Sequence, residues 1–287
     1  MQILKTLFQV ALYTFASIGV MTTVVFVGMQ YGLLNVRGSI IERNAFFGSV
    51  PTATSSAEEA STNGCATKEE GTACAWNETT FWTVVRDALR KDASVINRVS
   101  NETGVPARMI AAAVIPEQIR FFTDNREVFK RYFEPLKLLA SLSKFSLGVS
   151  GIKQDTATLI EKNAIDRHSA FYPGSGMESL IAYAENTDHD TELFNRLTDE
   201  KDHYYSYLYT ALYLKEIEAQ WQNAGFDIHD RPDVLVTLFN LGFSASKPNA
   251  NPKVAGAPIT IGGNEYSFGY LGTLFYHSDE LTDVFPQ

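Results

Sequence analysis

Cysteine is nearly absent from this 287-residue chain, which has only Cys65 and Cys74. Two sulfurs with no third Cys and no nearby His make a poor zinc site, so the pair reads as a local disulfide or as two unrelated thiols. A disulfide persists in oxidising compartments, and that reading favours a domain outside the cytoplasm. Clustered positive charge is also missing: 24 basic against 33 acidic side chains leave a formal charge of -9. Phosphate backbones require concentrated Lys and Arg, so nucleic acid is excluded as a partner. The five histidines are scattered, and the Asp-His-Asp run at 188–190 reads as a solvated loop rather than a metal site. No metal and no cofactor are expected. There is no internal repeat, and strand-like alternation is rare. APITIGGNEYSFG, residues 257–269, has a Gly-Gly turn between β-prone residues and predicts one small hairpin.

What is present begins with an apolar run. No charged residue occurs from Thr6 to Val36, and a bilayer core takes about 20 apolar residues to cross. The run is longer than the ~7–15 apolar residues of a secretory signal peptide, and no small-residue cleavage site directly follows it, so a retained transmembrane anchor is expected ahead of a cleaved signal. Lys5 on one side and Arg37 and Arg43 on the other leave the positive-inside bias undecided. The disulfide reading supplies the orientation, with the N-terminus inside and the domain outside. Residues 48–75 are rich in Ser, Thr, Ala, Gly and Glu and lack aromatics, the composition of a tether. The chain therefore divides into a tail and anchor over 1–36, a linker over 37–75 and a folded domain over 76–287.

Within the domain the apolar spacing is helical. Helices are predicted over 79–99, from Pro106 through the apolar MIAAAVI to Glu117, and over 126–143, 153–165, 176–186, 190–222, 231–243 and 268–282. The expected fold class is all-α, with at most the one hairpin.

Glu117 stands out because AAAVIPEQIRFF sets a carboxylate after an apolar helix and before two phenylalanines, surroundings that favour the neutral, protonated acid. A protonated carboxyl suits glycoside cleavage, since the leaving oxygen needs a proton. A helix-end ion pair with Arg120 or Arg108 is the plainer alternative. Two later segments bear on the choice: SLGVSGIKQDTA, where a glycine-rich turn enters a helix near Lys153, and TLFNLGF, which carries Phe239, Asn240 and Gly242. Alone, the second is an ordinary helix end.

Taken in order, an apolar helix ending in Glu, a Gly-Val-x-Gly-Ile turn with Thr-Ala, and Phe-Asn-x-Gly resemble the lytic transglycosylase and goose-type lysozyme superfamily over about residues 100–245. In that family a Glu-Ser helix end is followed by Gly-Leu-Met-Gln-Ile-Met-Pro-x-Thr-Ala and Ala-x-Tyr-Asn-x-Gly. Gly148, Val149, Ile152, Thr156 and Ala157 match without a gap, whereas Gln118 stands at the family's Ser and Gly151 at its Gln. The resemblance implies a lysozyme-like fold and a glycan cleft, with Glu117 as the single acid/base on peptidoglycan. It also implies substrate contacts from Ser146, Gly148, Val149, Gly151, Ile152, Phe239 and Asn240, with Tyr209 as a sugar-facing ring. Other tyrosines, among them Tyr205, Tyr213, Tyr266 and Tyr270, are candidate sugar platforms, although most are expected in the core. No second carboxylate is clearly placed; Asp124 and Asp155 are the weak candidates. The implied reaction is cleavage between N-acetylmuramic acid and N-acetylglucosamine with closure of a 1,6-anhydro ring. A hydrolytic lysozyme and a non-catalytic glycan-binding or assembly protein are the alternatives.

Overall fold

Patterned apolar positions at three- and four-residue spacing build most of the described residues into helices. The structure, a computed structural model, describes Cys65, 73–123, 146–199 and 201–287. The apolar run over 6–36, nearly all of the tether, the helix predicted over 126–143 and Asp124 lie outside the described residues. Among the described residues no helix is long and apolar enough to cross a membrane.

Trp76 is buried and meets Trp82 edge-on at 4.8 Å. Thr79 caps α1 (Thr80–Lys91) by accepting from the Trp82 amide, and Trp82, Val85, Ala88 and Leu89 turn inward. A single helix was expected over 79–99, but it breaks at Asp92 and resumes as α2 (Ala93–Thr103). The reason is the Asp92 carboxylate, which is buried and accepts from Tyr207 Oη at 2.8 Å with His203 Nδ1 at 2.6 Å. Gly104, at φ 76°, closes α2 in the left-handed conformation that glycine adopts without penalty.

The central helix α3 (Ala107–Thr123) is apolar on every side from Met109 to Ile115, and all seven residues are buried. Such a helix belongs inside a bundle. It runs two turns beyond the predicted end at Glu117, with Pro116 in its interior. Pro116 has no N–H for the Ala112 carbonyl four residues earlier. α9 (Phe268–Tyr276) packs near that same carbonyl: a methyl at Gly272 would lie 2.7 Å from Ala112 O.

Next comes an unforeseen feature, a short antiparallel pair of β1 (Ser146–Leu147) and β2 (Ile152–Lys153), with Ser146 facing Lys153 and Leu147 facing Ile152. It leads directly into α4 (Gln154–Ile165). The helix predicted over 176–186 shrinks to α5 (Met177–Leu180), because Arg196 takes the carbonyls of Ile181 and Ala182 that a longer helix would use. The helix predicted over 190–222 is two, α6 (His189–Leu197) and α7 (Tyr204–Asn223). Between them Asp199 accepts from the amides of Lys201 and Asp202, and Asp202 from that of Tyr204. Side-chain acceptors of this kind compete with helix hydrogen bonds.

α8 (Pro232–Leu241) starts on proline and passes into a 3-10 turn at Phe243–Ala245. The predicted hairpin is present as β3 (Pro258–Ile261) paired with β4 (Asn264–Ser267). Ile259 and Ile261 point inward, and β3 packs on α3. α9 follows at once and ends at Tyr276 rather than near 282, since Arg108 of α3 donates to the carbonyls of Phe275, Tyr276, Ser278, Glu280 and Phe285. Burying a guanidinium is expensive unless its donors are matched, and here they hold the chain end on the core. Cys65 and Cys74 form a disulfide. Cys74 is itself sewn to the β3–β4 turn, its amide donating to Gly262 O and its carbonyl accepting from Asn264, both at 2.8 Å. The described residues thus make a mostly helical fold with two small antiparallel pairs.

Candidate active site

The geometry begins with Gly151. It sits at φ 67°, and a methyl group in its place would lie 2.5 Å from Glu117 Oε1, 2.7 Å from Cδ and 2.8 Å from Cγ. The Glu117 carboxyl therefore occupies the space that any other residue at 151 would need. Glu117 keeps only 3% of its surface exposed. Gly148 is also left-handed at φ 67°, and its carbonyl accepts the Gly151 amide at 3.2 Å, so the two glycines shape one tight turn.

Two side chains hold that turn in place. Gln118, fully buried, donates Nε2 to the Val149 carbonyl. Ser150 Oγ donates to the Ser206 carbonyl of α7 at 2.9 Å. Residues 118 and 151 thus meet through one turn. Gln118 fastens the turn, and Gly151 makes room beneath it for Glu117.

The candidate residues divide by where their side chains lie. Gly148 and Gly151 form the turn against Glu117, and the backbone of Ser146 pairs with Lys153 at its rim. Val149, Ile152 and Phe239 are buried in the apolar core and support the turn and α8 from beneath. Asn240 is half-buried at the end of α8; its Oδ1 accepts the Ala257 amide at 2.8 Å, while Nδ2 has no partner among the described residues. Asp155 is exposed in the first turn of α4.

Helix directions bring Asn240 and Glu117 to one end. Arg108 meets Tyr276 and Ala112 meets Gly272, so α3 and α9 run antiparallel and the start of α9 lies at the Glu117 end of α3. The close of α8 lies there too, because Phe239 and Phe268 rings are 6.5 Å apart and Gly256 abuts Asn240 Oδ1. Glu117, the Gly148–Gly151 turn and Asn240 come from three distant parts of the chain and share this end.

Tyr209, one helix turn beyond Ser206 on α7, is fully buried, and its hydroxyl belongs to a polar cluster around Glu161. Its hydroxyl and that of Tyr183 donate to Glu161 Oε1, and His189 Nε2 lies 2.6 Å from Glu161 Oε2. His189 Nδ1 faces Asp190 at 3.2 Å. Burial opposes charge on this imidazole, yet hydrogen bonds and charge from Glu161 and Asp190 outweigh it and raise its pKa. The Asp-His-Asp run is therefore partly a latch: Asp188 caps α6 through the Thr191 amide, and His189 ties α6 to α4. A second buried acid, Glu216, accepts from Asn163 at 3.0 Å, and burial pushes it up to about 9. Neither acid has a local sequence signature, because its partners come from other elements. Among the described residues no group of His, Cys, Asp and Glu is placed to hold a metal ion. Comparison of the whole chain with known proteins finds no matching family profile, curated protein or solved structure.

Proposed function

We propose that the protein is a peptidoglycan lytic transglycosylase of lysozyme-like fold, held at the outer face of the cytoplasmic membrane by the apolar run over 6–36. The observation that carries this reading is the seating of Glu117 against the Gly148–Gly151 turn, at the end of the fold where Asn240 presents its carboxamide. An acid at the end of an apolar helix segment, seated against a glycine at position 151, suits delivery of one proton to a glycosidic oxygen.

In the proposed reaction Glu117 protonates the oxygen linking N-acetylmuramic acid to N-acetylglucosamine, and the C1–O bond breaks. The resulting carboxylate then takes the proton of the muramoyl C6 hydroxyl as that oxygen bonds to C1, closing the 1,6-anhydro ring and restoring the acid. No second carboxylate is required, whereas a glycoside hydrolase normally works with a pair. No cofactor takes part, and the partner is the glycan strand.

Purified full-length protein in detergent, incubated with sacculi, is expected to release 1,6-anhydro-muropeptides, and Glu117→Gln is expected to abolish release. Products ending in a free reducing sugar would identify a hydrolytic lysozyme, and turnover surviving the substitution would remove Glu117 from the mechanism. The 3% exposure of Glu117 favours a second reading, a non-catalytic wall-docking protein. Sacculus binding with no soluble product would select it.

A further inference from the structure

His189 is caught between carboxylates from two elements. Its Nε2 lies 2.6 Å from Glu161 Oε2 of α4, and its Nδ1 lies 3.2 Å from Oδ1 of Asp190, the next residue of α6. Glu161 is buried, whereas 43% of the His189 side chain is open to solvent, so protons reach the imidazole directly. The hydroxyls of Tyr183 and of Tyr209 on α7 both donate to Glu161 Oε1, which makes that carboxyl an acceptor for Nε2–H as well. A neutral imidazole has one N–H and one lone pair, so once Nε2 donates to Glu161, Nδ1 turns a lone pair towards Asp190. Only the imidazolium donates to both. The other charges nearby are matched: Arg196 stacks over the Tyr183 ring at 3.9 Å, a ring itself 4.8 Å from the imidazole, and pairs with Glu192 at 3.3 Å.

This contact bears on the candidate site through its neighbours. α6 is held at its start by His189 and by Gln154, whose Nε2 donates to the Asp190 carbonyl at 3.3 Å. Its end is held by Ser206, whose Oγ donates to the Leu197 carbonyl at 3.1 Å. Gln154 directly follows β2, and the Ser206 carbonyl accepts from Ser150 of the Gly148–Gly151 turn. Gln154 and Ser206 thus hold α6 from the same two segments that hold the turn against Glu117.

We infer that His189 is a proton-operated latch: charged, it clamps α6 to α4 and keeps the Gly148–Gly151 turn seated on Glu117, and neutral, it frees α6 and loosens the turn. Burial opposes the charge, but Glu161 and Asp190 together raise the His189 pKa above its ordinary 6.5. The stabilisation is therefore complete below about pH 6.5 and is lost as pH rises through the folded value. The latch operates whatever reaction Glu117 serves, and its test needs no substrate.

Full-length protein in detergent is followed by amide hydrogen exchange at pH 6 and pH 8.5. Protection factors are corrected for the intrinsic rate and referred to residues 109–115 of the α3 core, so that any global loss of stability cancels. In the parent, peptides over 181–197 and 146–153 are expected to lose about fivefold in protection at the higher pH, the upper end for a partly exposed ion pair. His189→Gln keeps a donor for Glu161 but carries no charge, and it is expected to show the loosened level at both pH values. Equal protection at the two pH values in the parent, or the same fall in His189→Gln, overturns the latch. Loosening of 181–197 while 146–153 stays protected overturns its coupling to the turn.

Discussion

Gly151 and Glu117 compete for one volume, and the consequence can be measured at a single methyl group. Gly151→Ala meets two penalties: a left-handed φ costs a non-glycine residue about 1–2 kcal/mol, and the new Cβ lies 2.5 Å from Glu117 Oε1. The carboxylate is the flexible partner and must move. A displacement of about 1 Å at a reacting group lowers rate by roughly a hundredfold, so Gly151→Ala is expected to lose about that much release of anhydro-muropeptides from sacculi. Gly225→Ala separates the two penalties, because Gly225 is equally left-handed at φ 84° and a methyl there meets nothing within 4 Å. It should lower stability alone. Equal activity in the two variants would show that Glu117 does not need its seat against the turn. The carboxylate at 117 was legible from its apolar flanks, but its contact with residue 151, 34 positions later, was not.

At the scale of elements, α9 approaches α3 and α8 through glycine. A methyl at Gly272 would lie 2.7 Å from the Ala112 carbonyl and 2.7 Å from Val236 Cγ1. Backbone on one side and a buried branched side chain on the other leave little room to give. Gly272→Ala is expected to destabilise the fold by about 1–3 kcal/mol, the usual cost of overpacking, read as a fall in the denaturation midpoint. An unchanged midpoint would mean that the two helices do not meet this closely in solution. The same scale shows why helix identities were readable but their ends were not. Core periodicity marks α1, α3, α4, α7 and α8 in the sequence. The stops at Asp92, Ile181 and Tyr276 arise where Asp92 is held by His203 and Tyr207, or where Arg196 and Arg108 take carbonyls from remote segments.

Across the whole molecule the response to pH carries a signature of Glu216. Its carboxyl has no exposed surface, and Oε1 has no partner among the described residues. Burial raises its folded pKa from 4.5 to about 9, so the folded protein holds a proton that the unfolded chain releases. The stability this proton confers is complete below about pH 4.5 and is lost progressively as pH rises towards 9. Glu216→Gln keeps an acceptor for Asn163 and cannot ionise. Its thermal midpoint is therefore expected to exceed the parent's at pH 8 to 9 and to fall less steeply from pH 5 upward. Parallel curves for the two proteins would place Glu216 in contact with water.

The sequence by itself determined the helical class, because periodic burial is written in neighbouring residues, and it determined the β3–β4 hairpin through the Gly262-Gly263 turn. It also singled out Glu117, Asn240 and the glycines of 148–151 as candidates. Tertiary structure alone decided which of them meet. Only the packed chain turns α9 antiparallel to α3, sets Asn240 at the Glu117 end and encloses Tyr209 with Glu161. Those outcomes depend on contacts among residues far apart in the chain, and local pattern holds no record of such partners.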